Sequence, residues 1–485
     1  MSTQTPFRNR GAFAPTPDYR LLPLRFGRLD RDRYVVTNDV GEYVVLPRED
    51  LVEFTERRLP TTSPLYRALK AKHFLFDDKS KVALDLLALK YRSRLEHLAS
   101  FTGLHIFVVT LRCDHSCHYC QVSRQTEDRS SYDISVVHAD KALDMVFRSP
   151  SPNIKIEFQG GEPLLRFDLV QHIVQRATRL NESAGRNLQF VIATNLSHLS
   201  DDVLAFCSVH RILLSTSLDG PADLHEAQRP LRGRSSHEVT VEALRRAREA
   251  LGPDSVSALM TTTPASLGRV EEIIDEYVRQ GFHSIFLRSL SPYGFAVRAS
   301  LLRRCTVDDW IDFYKRGLAH ILRINHDGYP LREEFTGIIL QKMFSPTGAR
   351  YVDLQSPAGI GIGAIVYNYD GGVFASDEGR MLAEMGDHSF RLGHLDTDTY
   401  ETMIGSETLL APLDETMLEG APMCSDCPFL PHCGSDPVFH KATQGDMLGH
   451  KAFSDFCKKQ MGVFRHVIGL LEDDPAARAI LLDWQ

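Results

Sequence analysis

The chain has 485 residues, 43% hydrophobic and 24% charged, a length that calls for two or three domains and a composition of ordinary globular type. Its 55 Lys+Arg against 63 Asp+Glu leave a net charge of −8, which argues against a dedicated nucleic-acid binder. No run nears the roughly 18 apolar residues of a membrane span, and the opening MSTQTPFRNRGAFAPTP lacks the apolar segment of a secretory signal, so a cytoplasmic protein with no membrane partner is expected.

Residues 1–80 read as a small α+β domain. Tyr34–Thr37 and Tyr43–Leu46 are β-branched runs around Asn38-Asp39-Val40-Gly41, a hairpin signal. Two short helical patterns follow, REDLVEFTERRL and SPLYRALKAKHFL, with apolar residues three and four apart. Residues 1–75 carry 13 Lys/Arg and 9 Asp/Glu, a local excess of basic charge that suits an acidic partner. Residues 81–100 read as a linker helix.

From 101 to 345 strand-like runs alternate with helical ones: HIFVVTL (105–111), IKIEF (154–158), LQFVIAT (188–194), RILLSTSL (211–218), SVSALMTT (255–262) and SIFLRSL (284–290). Six βα units predict an α/β fold, a partial (β/α)6 TIM-like barrel, with chemistry at the C-terminal ends of the strands. A third domain at 346–485 opens on a Gly-rich hairpin, GIGIGAIVYNYDGGVFASDEGR.

Seven of the nine cysteines fall into two groups, which in a chain without export signals read as metal sites before disulfides. After the first barrel strand, TLRCDHSCHYCQ carries Cys113, Cys117 and Cys120 in C-x3-C-x2-C spacing. Three thiolates on one loop can hold three irons of a [4Fe–4S] cluster and leave the fourth open. A buried helix face would use the same spacing, but Asp114, His115 and Ser116 are poor helix-interior residues, and a zinc site normally wants a fourth ligand. The second strand ends in Gly160-Gly161-Glu162-Pro163, where glycines permit close approach of a ligand and a carboxylate can accept a hydrogen bond from an ammonium group.

Triad and GGE together resemble the radical S-adenosylmethionine (SAM) superfamily over about residues 101–300. The resemblance implies that Cys113, Cys117 and Cys120 hold a [4Fe–4S] cluster whose open iron SAM chelates. Gly160, Gly161 and Glu162 would meet the SAM amino group and Tyr119 would lie beside the adenine. ATNLSHLSDD is like the family's third-strand end, with Asn195 exposed there as a cofactor-binding candidate. Ser217 and Asp219 in STSLDGPADLHEAQRP, which resembles a Ser-x-Asp-Gly-Pro…His-x-x-x-Arg pattern of peptide-modifying members, are candidates near the ribose or the substrate. Asp219-Gly220-Pro221 can also be a plain turn. Arg288 closes the sixth strand and could neutralise a carboxylate in the mouth, although a rim arginine is more often a surface ion pair.

The second group is Cys424, Cys427, Cys433 and Cys457. Four thiolates saturate one centre, and ligand count alone does not separate zinc from iron–sulfur. The group resembles the SPASM extension of peptide-modifying radical SAM enzymes, in reduced, twitch-like form. Ser356, Ser376 and Pro437 stand where a second auxiliary cluster would need cysteines, so one auxiliary [4Fe–4S] cluster is expected. Asp377 aligns with a carboxylate that acts as a base in sulfatase-maturing relatives, and Glu378 lies beside it; either could equally be a solvated turn residue. Cys207 and Cys305 are lone residues of packing type.

The whole chain looks most like the B component of the paired radical SAM maturases of the His-Xaa-Ser system. That implies modification of a ribosomal precursor peptide, a second radical SAM maturase as partner, and an electron donor such as flavodoxin or ferredoxin. The front domain would capture a leader peptide as an added strand. A sulfatase-maturing type oxidase of a protein Ser or Cys, and a non-catalytic metal-binding scaffold, are the alternatives.

Overall fold

In the computed structural model, which describes residues 18–79, 82–345, 347 and 351–485, apolar runs and N-terminal caps set the elements. Ser63, Ser135, Ser200, Ser235 and Thr306 each accept a backbone N–H from the first turn of the helix that follows, satisfying donors that a helix start leaves free. The alternation read over 101–300 gives strands β4 (Leu104–Thr110), β5 (Asn153–Gly160), β6 (Asn187–Ala193), β7 (Leu213–Ser217), β8 (Val256–Thr261) and the short β9 (Leu287–Arg288). They run parallel in the order β9-β8-β7-β6-β5-β4. The sixth run is broken: Ser284–Ile285 pairs with Arg332–Glu333, and only Leu287–Arg288 joins β8.

Side-chain alternation then divides each strand between two faces. On β5, Ile154, Ile156 and Phe158 enter the core under the helices, and Glu157 and Gln159 turn to the inner cavity. Helix Phe167–Ala184 buries Leu169, Val170, Ile173, Val174 and Ala177 on one stripe, the spacing of an amphipathic helix on a sheet.

Ahead of the barrel, β1 (Leu24–Arg28), β2 (Arg33–Asn38) and β3 (Tyr43–Pro47) form an antiparallel sheet, with helices Arg48–Thr55 and Pro64–Ala71 packed on it. The hairpin is as read. β1 was not anticipated, because Gly27 and two arginines, Arg25 and Arg28, interrupt its apolar pattern. The linker is helix Ala83–Leu95 followed by a 3-10 turn, Glu96–Ser100; residues 1–17 and 80–81 lie outside the described residues.

The tail hairpin is also present, as β10 (Ala364–Tyr367) and β11 (Gly372–Phe374), with β12 (Arg391–His394) beside it. It does not make a sheet of its own. β10 pairs parallel to β4, so barrel and tail share one nine-stranded sheet. Among the described residues no helix is long and apolar enough to cross a membrane.

Two substitutions in the front unit should separate packing from surface charge. Phe54→Ala, which empties a fully buried site, should cost about 3–5 kcal/mol. Arg33→Ala breaks a pair with Asp473 at 2.6 Å whose side chains are 31% and 56% exposed, and should cost less than about 1 kcal/mol. Urea midpoints of the two variants check the ordering.

Candidate active site

The sulfurs at the barrel mouth owe their placement to backbone. The N–H of Cys113 donates to the carbonyl of Gln125 (3.0 Å), that of Ser116 to Pro230 (2.9 Å) and that of His118 to Gln228 (3.2 Å), and the carbonyl of Cys120 accepts from Phe295 (2.8 Å). The cysteine loop is thus braced by the segments after β7 and after β9. All three cysteines line a cavity of about 600 Å³ that also takes in the strand ends and the tail domain. Burial pushes the Cys113 thiol up and the Cys117 thiol to about 11, with the Arg229 guanidinium acting against the shift at Cys117.

Thiols held neutral this way need a cationic centre to become thiolates. Thiolates on a single tetrahedral ion sit about 3.8 Å apart, given metal–sulfur bonds near 2.3 Å. Among the described residues the group that closes three ligand atoms within 4.8 Å is His138, His394 and Asp396, on the protein's exterior, and neither cysteine set does.

Next to the loop the chain comes as close as backbone can. Gly160 has φ of +136°, and a Cβ there would lie 1.9 Å from the Thr110 carbonyl oxygen; one on Gly161 would lie 2.2 Å from that of Arg112. The glycines are therefore required by the approach of β5 to β4, and both line the cavity. Glu162 does not face it. Its fully buried carboxylate accepts the N–H of Leu164 (3.0 Å), the hydroxyl of Thr194 (2.7 Å) and the N–H of Asn195 (2.7 Å), and burial holds it up at about 7. The wall available to a ligand here is the Gly160–Gly161 backbone.

Asn195, so positioned, reaches back to the cysteine loop: its Nδ2 donates to Asp114 (2.8 Å) and lies 3.8 Å from the sulfur of Cys113. Tyr119 lines the cavity with its hydroxyl donating to Asp219 (2.6 Å) and accepting from Arg229 (2.8 Å). Asp219 sits behind that ring, also taking the N–H of Thr261 (3.2 Å). Ser217 stands on the cavity face of β7. Arg229 was not singled out, although it closes the His-x-x-x-Arg pattern that was.

The tail supplies a further part of the wall. Asp377 and Glu378 begin helix Asp377–Ala383, line the cavity and share it with Arg288 at the end of β9. Asp377 is paired with Arg380 (3.4 Å). Asp353, Asp436, Lys459 and Tyr293 also line this end. Sequence reasoning missed them because no motif carries them. The positions flagged for absent cysteines have structural duties instead: Ser356 hydrogen-bonds Glu419 (2.9 Å), Ser376 caps the N–H of Gly379 (3.0 Å), and Pro437 opens helix Pro437–Gln444.

Cys424, Cys427, Cys433 and Cys457 come together at the foot of helix Asp455–Asp473, close enough for their charges to raise one another's thiols. Lys342, fully enclosed, donates to the Cys433 carbonyl (2.6 Å). Lys451 acts on Cys424 and Arg465 on Cys427 from nearby. The four sulfurs thus sit in positive surroundings that suit an anionic metal–thiolate centre. Cys207 and Cys305 are buried and apart.

A parallel half-barrel with a three-cysteine loop after its first strand defines a class, and comparison agrees with it. Residues 107–277 match the model of the radical SAM superfamily, so the barrel is a radical SAM domain, which implies a [4Fe–4S] cluster and SAM. An uncharacterized protein of Methanocaldococcus jannaschii is 27% identical over 188 residues, 39% of this chain and 62% of that protein. The chain therefore spans less than two thirds of that relative. A cysteine-type anaerobic sulfatase-maturating enzyme of Clostridium novyi is 26% identical over 120 residues, 24% of this chain and 32% of that enzyme. The solved structure of native anSMEcpe with bound AdoMet shares the fold at TM-score 0.63 and 14% identity, covering 79% of this chain and 100% of that one. Streptococcus suis SuiB bound to precursor peptide SuiA does so at TM-score 0.51 and 12% identity, covering 87% and 96%.

Gly160→Ala tests the mouth. Its methyl has nowhere to go without moving Thr110, so the variant should lose about 2 kcal/mol or more of stability and bind less iron per chain on reconstitution. A midpoint and iron content equal to wild type would mean the two strand ends are not so tightly apposed.

Proposed function

We propose that this protein is a radical SAM enzyme that modifies a ribosomally made peptide. The observation that carries the reading is the cavity itself: the cysteine loop, the Gly160–Gly161 backbone and tail residues line one common space. A bound hydrogen donor would thereby be shut away from water between them.

In this reading Cys113, Cys117 and Cys120 hold the [4Fe–4S] cluster, the Gly160–Gly161 backbone and Asn195 flank the SAM amino acid moiety, and Tyr119, fixed by Asp219 and Arg229, flanks the adenine, with Ser217 on the ribose side. When bound and reduced, cluster and SAM supply a 5′-deoxyadenosyl radical that abstracts a hydrogen atom from the substrate. The chain's own residues do the rest. Arg288 orients an anionic group of the substrate, and Glu378, whose carboxyl is pushed up to about 8 by burial and by Asp353 and Asp377, once ionised accepts the proton released when a crosslink or double bond forms. This step strengthens as the pH rises toward about 8. Asp377, paired with Arg380, positions it. Cys424, Cys427, Cys433 and Cys457 hold one auxiliary [4Fe–4S] cluster.

Residues 1–80 serve as the leader-recognition domain, 81–100 as the linker, 101–345 as the barrel and 346–485 as the auxiliary-cluster domain. The basic front suits an acidic leader. A His-Xaa-Ser repeat peptide, a second maturase as partner, and flavodoxin or ferredoxin as donor complete the proposal. The Clostridium novyi relative favours a second reading, oxidation of a Ser or Cys in a protein client. Mass spectrometry of coexpressed candidates separates them, since loss of two hydrogens at a single client residue marks the second.

Anaerobically reconstituted, reduced protein given SAM should release 5′-deoxyadenosine, and Cys117→Ala should reduce that release at least about a hundredfold. Full release by the variant would remove the triad from the chemistry.

A further inference from the structure

We propose that the tail-side end of the cavity, walled by Asp353, Glu378 and Asp436 and capped by the hydroxyl of Tyr293, is a subsite for a basic side chain of the substrate. This rests on the peptide reading above and names the chemistry the peptide must bring.

The three carboxylates come from separate pieces of chain: Asp353 from the turn Val352–Leu354, Glu378 from the start of helix Asp377–Ala383, and Asp436 from the residue before helix Pro437–Gln444. Each lines the cavity. Among the described residues none has an ion-pair partner, in contrast to Asp377, which has Arg380. Asp436 takes the N–H of Phe439 (2.8 Å), and their mutual repulsion shows in carboxyls raised to about 8 at Glu378 and about 7 at Asp436, burial being the larger cause.

Four cations share the cavity, Arg124, Arg229, Arg288 and Lys459, and among the described residues none forms an ion pair with these carboxylates. The Lys459 ammonium turns to the Ser289 hydroxyl (3.3 Å) and to the rings of Trp310, Phe335 and Phe456 at 5.7, 5.9 and 5.8 Å. Unpaired carboxylates at half-buried positions repel one another where solvent screens them poorly, and three together do so more. An incoming cation relieves that repulsion.

The Tyr293 hydroxyl adds an independent sign. The residue is 2% exposed, lines the cavity and has no hydrogen-bond partner; the charges it senses are those of Asp436, Glu378, Asp353 and Asp377. The side-chain oxygen of Gln460, equally buried and also on the cavity wall, is likewise without a partner. Each of these groups can accept a hydrogen bond, the carboxyls in their ionised form. Acceptors contributed by three separate segments suit a ligand group with several donors, such as a guanidinium, ammonium or imidazolium group.

The test uses reconstituted holoprotein and a charge series of one shape class: Nα-acetyl-arginine methylamide and Nα-acetyl-lysine methylamide, neutral Nα-acetyl-citrulline methylamide, and anionic Nα-acetyl-glutamate methylamide, with binding read by saturation-transfer NMR. The cationic members should bind at least about tenfold tighter than the neutral one, and that preference should vanish in an Asp353→Asn/Asp436→Asn variant and in Glu378→Gln. Tyr293→Phe should weaken it. Equal binding of the arginine and citrulline probes, or tighter binding of the glutamate probe, overturns the proposal; the wild-type series alone decides if a variant does not fold. Release of 5′-deoxyadenosine from SAM is scored separately. A cation preference without release spares the subsite and sinks the radical reading, and release without a preference does the reverse.

Discussion

The mouth of this barrel is organised by a carboxylate that never touches the cavity. Glu162 satisfies three donors that would otherwise be buried and unpaired, one in its own turn and two at the end of β6. Leaving any of them unmade costs about 1–3 kcal/mol, so the ends of β5 and β6 are fixed to each other. Asn195, held by its backbone to Glu162, passes the constraint through its side chain to Asp114 and the neighbourhood of Cys113. The two glycines before Glu162 admit the backbone of β4 at a distance no other residue allows. Three strand ends and the cysteine loop are therefore one rigid unit, the preorganisation a site for reactive chemistry requires.

The second organising fact is the continuity of the sheet. Because β10 pairs with β4, the strand that launches the cysteine loop, the tail is a structural extension of the barrel. This places Asp377 and Glu378, which follow β11, on the wall of the cavity that the loop also lines. The front unit joins the same body. A Cβ on Gly27 would meet Pro428 at 2.8 Å, Arg25 donates to the Ser425 carbonyl (2.6 Å), and the Thr37 hydroxyl donates to that of Pro428 (2.7 Å). The front sheet thus packs on the loop that carries Cys424, Cys427 and Cys433. Any molecule that adds to this sheet acts next to the tail cysteines.

Much of this was legible in the sequence because the signals were local. Continuous apolar runs between amphipathic helices gave five barrel strands to within a residue or two, and cysteine spacing on a loop after a strand gave the site. What escaped was set by distant partners. The sixth run split because Leu287–Arg288 and Ser284–Ile285 found different neighbours, and β1 was hidden by arginines that face solvent or the tail. The carboxylates Asp353 and Asp436 and the cation Lys459 belong to no motif, and topology alone brings them together. Glu162 shows the converse: the motif was legible, while the direction of its carboxylate depended on donors more than thirty residues away in the chain.

The central claim is that the three loop cysteines present a cluster with a free coordination position to this cavity. Electron paramagnetic resonance of anaerobically reconstituted, dithionite-reduced protein, with the tail set disabled by Cys424→Ala/Cys427→Ala, addresses it most directly. The account predicts a reduced-cluster signal that persists in this variant and changes shape when SAM is added. A signal indifferent to SAM, or one lost with the tail cysteines, would contradict it.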